Sequence, residues 1–278
     1  MNADEKKSLA GFIDLTAAFY GSGYCAETAE YNFADDPQET APVTNAAAVP
    51  AEAVAVSAVA VSANEKNADG DAALSDSLEQ IAAEIHNCEA CRLYATRKNV
   101  VPGEGVKNPL VMVIGEGPGA DEDASGRPFV GPAGQLLDKM LAAIGLSRKT
   151  NSFIANVVKC RPPENRRPMP DETGPCAAFL ERQIRLLQPG FILCAGRSSS
   201  QSLLKTDDSI GAMRGKIVPF ETGGRTIPLI VTYHPSALLR NEDLKRPAWE
   251  DLKILRSAIE QAGAMTANAT PAAVAGTE

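Results

Sequence analysis

The chain has 278 residues, a hydrophobic fraction of 44% and a formal net charge of −8. That length supplies one substantial folded domain with flanking segments, and the apolar fraction is ordinary for a globular protein. An acidic balance does not by itself suggest a nucleic-acid partner, but the charge is uneven: the first 91 residues are strongly acidic, whereas residues 92–256 are net basic.

The N-terminal segment, residues 1–34, contains an apolar pattern at 5–22 that predicts an amphipathic helix. Residues 35–73 are rich in Ala, Val and acidic residues and contain no aromatic, so we expect a disordered linker there and a similar tail over 263–278. No targeting segment is recognisable, and the Ala/Val-rich run is broken by Pro50. The sequence therefore predicts a cytoplasmic protein without a membrane span. No motif in residues 1–73 indicates a partner.

From residue 74 to residue 262, where we expect the folded domain, short apolar runs alternate with helical patterns. Buried strands are predicted at 110–115, 152–158, 191–196 and 226–233, and helices at 132–145, 172–188, 197–205 and 248–261. This alternation is typical of a parallel sheet covered on both faces, so we expect an α/β fold. Ligands of such sheets bind at the carboxyl ends of the strands, and each unusual motif of this sequence follows a strand.

Glycines crowd the end of the first predicted strand, where Gly115 and Gly117 flank Glu116. Glycine lets the backbone approach a ligand closely, although a tight turn explains the same pattern. The run is neither a Walker loop nor a complete dinucleotide fingerprint. The following loop carries the acidic residues 121–123 and then Phe129, an aromatic that either stacks on a flat ligand or fills the core.

Two further strands end in polar side chains that suit a ligand. Asn156 lies in the second strand, and its amide offers a donor and an acceptor that match the edge of a nucleobase. The fourth strand leads into His234, one of two histidines in the chain. Each residue has a structural alternative, because Asn156 could cap the strand and His234 could be an ordinary packed imidazole.

Four of the six cysteines form two pairs, Cys88 with Cys91 and Cys160 with Cys176. Four thiolates brought together could hold either zinc or an iron–sulfur cluster. The spacing fits neither the bacterial ferredoxin run nor a usual zinc finger, so both metals stay open at this point. The other two cysteines are expected to be free thiols.

Taken together, these motifs resemble the family 4 uracil-DNA glycosylases. The matching segments occur in the family's order: CEACRL (88–93), GEGPGADED (115–123), GRPFVGPAGQLL (126–137), NVVKCRPPENR (156–166), Cys176, RGK (214–216) and HPSALLRN (234–241). The resemblance implies a three-layer α/β/α domain with a central four-stranded parallel sheet, and a [4Fe–4S] cluster on the two cysteine pairs. It also implies a monomeric hydrolase that flips uracil out of single- or double-stranded DNA and cleaves its N-glycosidic bond, leaving an abasic site.

The resemblance also implies roles for individual residues. Phe129 corresponds to the residue that stacks on the flipped uracil, Asn156 to the reader of its Watson–Crick edge, and His234 to the donor at uracil O2. Glu116 and Glu122 are the candidates for the group that activates water.

Two further sets of residues follow from the same resemblance. One cradles the base and sugar and comprises Gly115, Glu116 and Gly117. The other enters the minor groove of DNA and comprises Pro235, Ser236, Leu239 and Arg240.

Three other protein classes fit the sequence less well. Relatives that bond covalently to the abasic sugar carry a histidine in the loop after the second strand, and residues 161–170 here contain none. A catalytically weak DNA-binding module, like the glycosylase-like segment of some phage polymerases, is disfavoured because Phe129, Asn156 and His234 are all present. A zinc hydrolase would need a cluster of His and carboxylate residues that the sequence lacks.

Overall fold

In the computed structural model, which describes residues 76–263, six strands form one mixed sheet. The strands are β1 (Glu104–Gly105), β2 (Val111–Gly115), β3 (Ser152–Asn156), β4 (Phe191–Ala195), β5 (Ile217–Thr222) and β6 (Arg225–Thr232). The predicted helix at 5–22, the linker at 35–73 and the tail beyond 263 lie outside the described residues.

The strand order is β1-β3-β2-β4-β6-β5, and the four inner strands are parallel. These four are the strands predicted from the apolar runs. The predicted central four-stranded parallel sheet is confirmed, and β1 and β5 extend it with an antiparallel strand on each side. The apolar pattern misses both edges, since β1 has two residues and β5 is half exposed and contains Pro219.

Helices cover both faces of this sheet and connect its parallel strands. They are α1 (Leu78–His86), α2 (Ala120–Ser125), α3 (Pro132–Ala142), α4 (Pro170–Leu187), α5 (Arg197–Leu204), α6 (Ile210–Met213), α7 (Pro235–Arg240) and α8 (Lys245–Gln261). None of these helices is both long enough and apolar enough to cross a membrane.

Alternate residues of β2 show how the layers are filled. Val111 and Val113 belong to an apolar cluster with α3, α7 and α8, whereas Met112 and Ile114 belong to a second cluster with α1, α4 and α5. Successive side chains of a strand point to opposite faces, so each parallel strand contributes to both clusters. The predicted three-layer α/β/α architecture is therefore confirmed.

The strand register brings the sequence motifs to one edge of the sheet. Gly115 at the end of β2 pairs with Asn156 at the end of β3. On the other side, Ala195 of β4 pairs with Thr232 of β6, two residues before His234. The carboxyl ends of parallel strands lie at the same edge, so motifs that are far apart in the chain become neighbours there.

Candidate active site and cysteine cavity

Asn156 lies almost entirely below the surface, with 1% of its area exposed. Its side-chain oxygen Oδ1 has no hydrogen-bond partner within residues 76–263. Leaving a buried polar group unpaired costs about 1–3 kcal/mol, and native proteins rarely tolerate it without a reason. An external donor would satisfy this oxygen, which makes Asn156 the clearest sign of a ligand site.

Phe129 and His234 lie together next to Asn156. Their ring centroids are 5.6 Å apart and the ring planes are tilted by 32°. A Cβ atom on Gly115 would lie 2.5 Å from both Asn156 Oδ1 and Phe129 Cζ. Any side chain at Gly115 would therefore push these groups apart, and the predicted glycine requirement has a steric cause.

Glu116 follows β2 and is half-buried at the same edge of the sheet. Burial raises the pKa of its carboxyl, while a hydrogen bond with Ser198 and the charge of Arg167 act in the opposite direction. The neighbouring Gly117 packs closely on the segment after β3, since a Cβ there would lie 2.8 Å from Val158 Cγ2. Glu116 is thus a partly desolvated carboxyl beside the hydroxyl of Ser198 and the positive charge of Arg167.

Glu122 has a different environment. Its carboxylate accepts backbone N–H bonds from Gly119 at 3.0 Å, Val130 at 2.8 Å and Gly131 at 3.0 Å. These bonds tie the start of α2 to the loop that carries Phe129. The geometry favours an ordering role for Glu122 over the predicted activation of water, and leaves Glu116 as the better candidate for that step.

His234 is the N-cap of α7, where the backbone N–H of Ser236 donates to Nδ1 at 3.1 Å. The Ser236 hydroxyl lies 2.8 Å from the same nitrogen. Burial, together with the positive charge of Arg240, lowers the pKa of His234 to about 4. Because Nδ1 accepts a hydrogen bond from the backbone N–H of Ser236, the neutral ring carries its own hydrogen on Nε2. His234 is therefore a neutral donor at pH 7.

The four residues predicted to contact DNA divide into two kinds. Pro235 is buried and starts α7, and Ser236 is engaged with the imidazole of His234. Leu239 is partly buried against the core, and Arg240 is exposed. The first two residues thus shape the helix start and hold the histidine, whereas the last two lie nearer the surface.

The two cysteine pairs converge on one cavity. Its lining includes Cys88, Cys91, Cys160 and Cys176, with apolar walls from Ile85, Pro175 and Phe179. Within the described part of the chain, no three His, Cys, Asp or Glu side chains are already grouped tightly enough to hold a metal ion. The shared cavity satisfies the first requirement for a cluster, because all four cysteines line it.

Two of the four sulfur atoms in this cavity accept hydrogen bonds. The backbone N–H of Lys159 donates to Cys176 Sγ at 3.3 Å, and Arg97 donates to Cys160 Sγ at 3.3 Å. Burial raises the pKa of Cys160 and raises the pKa of Cys176 to about 11. A bound cation would stabilise the thiolates that burial disfavours. Four thiols, two of which accept N–H hydrogen bonds, fit an iron–sulfur cluster.

Lys159 connects the cavity with the strand end. Its buried ammonium donates to the main-chain oxygen of Asn156 at 2.9 Å and to Gln183 Oε1 at 2.7 Å. Burial lowers the pKa of Lys159 to about 8. The sequence gives no sign of this role, because a lysine in a polar loop is normally exposed.

Comparison with known proteins gives a consistent result. A family model described as the uracil DNA glycosylase superfamily matches residues 102–253. The type-4 uracil-DNA glycosylase of Archaeoglobus fulgidus is 41% identical over 64% of this chain and 91% of its own length. The enzymes of the same name from Saccharolobus solfataricus (43% identical, 66% of this chain, 87% of its own) and Thermotoga maritima (40%, 67%, 96%) are similarly close.

Proposed function

The chain belongs to the uracil-DNA glycosylase superfamily, and we propose on that premise that it is a DNA-repair hydrolase that removes uracil from DNA. The observation that carries the proposal is the buried, unpartnered Oδ1 of Asn156 next to the paired rings of Phe129 and His234. The proposed reaction hydrolyses the bond between uracil N1 and the deoxyribose C1′ and leaves an abasic site.

Recognition of the base follows from the amide of Asn156. Uracil presents an N3–H donor that would satisfy Oδ1, and its O4 would accept from the amide nitrogen of the same side chain. Cytosine presents an acceptor at N3 and a donor at C4, so both contacts would be unfavourable. A site built to pair buried polar groups rejects a mismatched base strongly, because those groups would stay unpaired.

The base must leave the DNA stack to reach Asn156, since this residue is buried within the protein. Flipping costs a few kcal/mol, and contacts to the extruded base offset that cost. The ring of Phe129 supplies such a contact, because stacking on an aromatic contributes about 1–3 kcal/mol per base. Arg240 and other basic residues of the folded domain would bind phosphates in a way that does not depend on sequence.

His234 acts on charge that develops as the bond breaks. Cleavage leaves negative charge on uracil O2 and positive charge on the sugar. The Nε2–H of the neutral imidazole would donate to O2 and bind that charge more strongly than it binds the uncleaved base. Removing one such donor costs about 3 kcal/mol, or roughly a hundredfold in rate.

We assign the orientation of the attacking water to Glu116. Its carboxyl follows β2 at the strand edge and is held by Ser198, whereas the oxygens of Glu122 are occupied by backbone N–H groups. An ionised Glu116 could accept a proton from water as that water attacks C1′.

We propose that Cys88, Cys91, Cys160 and Cys176 hold a [4Fe–4S] cluster. These four cysteines would tie the segment after α1 to the loop after β3 and to the N-terminal half of α4. Breaking an N-glycosidic bond moves no electrons between donor and acceptor, so the proposed reaction does not require a redox change. We further propose that the protein acts as a cytoplasmic monomer on uracil in single- or double-stranded DNA.

An oligonucleotide cleavage assay tests the proposal. A labelled strand with one uracil, presented alone or opposite guanine or adenine, is incubated with the protein and then treated with alkali. We expect breakage at the uracil and none in a matched strand that carries thymine. A covalent protein–DNA product without breakage would instead favour the trapping class, and binding without either product would favour a catalytically weak DNA-binding module.

A further inference from the structure

Phe129 adopts a backbone conformation that its side chain disfavours. Its φ angle is +53°, in the left-handed region that residues other than glycine rarely enter. Gly134 of α3 packs against the same peptide, because a Cβ there would lie 2.0 Å from the carbonyl carbon and oxygen of Phe129. A residue in such a conformation persists only where its surroundings hold it.

Arg148 supplies the main contacts that hold Phe129 in this conformation. It lies between α3 and β3, and 8% of its side chain is exposed. Its Nη1 donates to the carbonyl of Pro128 at 2.7 Å and its Nη2 to the carbonyl of Phe129 at 2.8 Å. These two carbonyls belong to the peptide planes before and after Phe129, and the orientations of those planes define its φ and ψ angles. Asp138 Oδ1 accepts from Arg148 Nε at 2.9 Å and orients the guanidinium.

Glu122 holds the next part of the same loop. Its carboxylate accepts from the N–H groups of Val130 and Gly131. Three successive peptide units around the ring of Phe129 are therefore fixed by buried or half-buried charged side chains. A lysine at position 148 could not replace this contact, because an ammonium group lacks the planar fork that reaches two carbonyls at once.

We infer that Arg148 is a positioning residue for base recognition, which aims the ring of Phe129 at the flipped uracil by fixing the two peptide planes that flank it. The inference rests on the proposed function. Arg148 lies outside the sequence segments that carry the family resemblance, and its hydrogen bonds go to two backbone carbonyls and Asp138 rather than to the ring of Phe129. Its effect on the substrate is therefore transmitted through Phe129.

Binding measurements on two substitutions test this role. Arg148→Lys and Arg148→Gln are compared with the unaltered chain for affinity to DNA with a non-cleavable 2′-fluorinated deoxyuridine, and to the same DNA with thymidine. We expect both variants to bind the uracil DNA about tenfold more weakly and the thymidine DNA with unchanged affinity. The matched control is Arg182→Gln, which removes a paired arginine on α4 that contacts Asp76 and Glu84. It should lower the melting temperature without changing the ratio of the two affinities.

A double-mutant cycle with Phe129→Ala separates positioning from a general loss of stability. If Arg148 acts through the ring, Arg148→Gln should change uracil affinity less than about twofold once the ring is absent. Fully additive losses, or an Arg148→Lys variant that folds and keeps the normal affinity, would overturn the inference. If Arg148→Gln does not fold, Arg148→Lys completes the same cycle. An unaltered chain that does not prefer uracil DNA would instead overturn the proposed function, and this inference with it.

Discussion

In the proposed mechanism, His234 affects the chemical step rather than binding, because its Nε2 hydrogen would meet charge that appears only during bond cleavage. His234→Ala should lower the single-turnover rate at saturating enzyme by roughly a hundredfold or more. Affinity for DNA with a non-cleavable uracil should stay nearly unchanged. The opposite pattern, with weaker binding and a normal saturated rate, would show that His234 only positions the base.

In the proposed mechanism, Asn156 selects the base that the site accepts. Asn156→Asp replaces the amide donor with a second acceptor, so the contact to uracil O4 is lost. We expect uracil cleavage to fall strongly at neutral pH. A protonated aspartic acid can donate again, so activity should partly return as the pH is lowered. Uracil cleavage measured at fixed times across pH 5–8 would check this. Asn165→Asp, in the loop after β3, is the control for the same substitution away from the base.

The tautomer and burial of His234 also affect stability. In the unfolded chain a histidine titrates near pH 6.5, whereas burial holds the folded His234 pKa at about 4. Below pH 6.5 the unfolded state binds a proton that the folded state excludes. His234 therefore contributes stability at neutral pH that is lost as the pH falls from 6.5 towards 4.

Thermal unfolding at pH 7 and pH 4.5 measures this contribution. From pH 7 to pH 4.5, the melting temperature of His234→Gln should fall less than that of the unaltered chain. His86→Gln, which removes the exposed histidine of α1, is the control and should behave like the unaltered chain. An equal fall in melting temperature in all three proteins would contradict the lowered pKa assigned to His234.

At the scale of secondary-structure elements, the proposed cluster on the cysteine-bearing segments can be tested by composition and by substitution. The purified protein should be yellow-brown and contain iron, and Cys160→Ser should lose the iron and much of the thermal stability. Cys194→Ser should keep both iron and colour, because Cys194 lies in β4 and faces the core rather than the cysteine cavity. Stoichiometric zinc without iron in anaerobically prepared protein would contradict the cluster.

The strands also show which elements a local apolar pattern can predict. The inner strands were predictable because continuous apolar runs are the signature of strands buried on both faces. The edge strand β5 was not predictable in this way, because its successive residues alternate between exposed and half-buried positions. The Gly223–Gly224 turn that joins β5 to β6 was a usable signal, since both glycines have positive φ angles of the kind that tight hairpins require.

For the molecule as a whole, the uneven charge predicts an effect of the acidic leader, here residues 1–71. A chain that begins at Ala72 should fold and cleave uracil DNA, because the described site residues all lie after that point. It should bind DNA more tightly than the full chain at low salt, and the difference should shrink as salt is added. Affinities measured from low to physiological salt would check this. A folded but inactive truncated chain would show that the leader belongs to the site.

The amino-acid sequence by itself determined the α/β class, the four parallel strands and the identity of the residues at the strand ends. These features depend on local periodicity and on which side chain follows a strand, and both can be read without knowing distant contacts. Only the tertiary structure decided that the oxygens of Glu122 are taken by backbone N–H groups, that Asn156 Oδ1 lacks a partner, and that Arg148 holds Phe129. Each of these facts depends on which groups meet across the packed layers, because a polar atom's role is set by its partners and its burial.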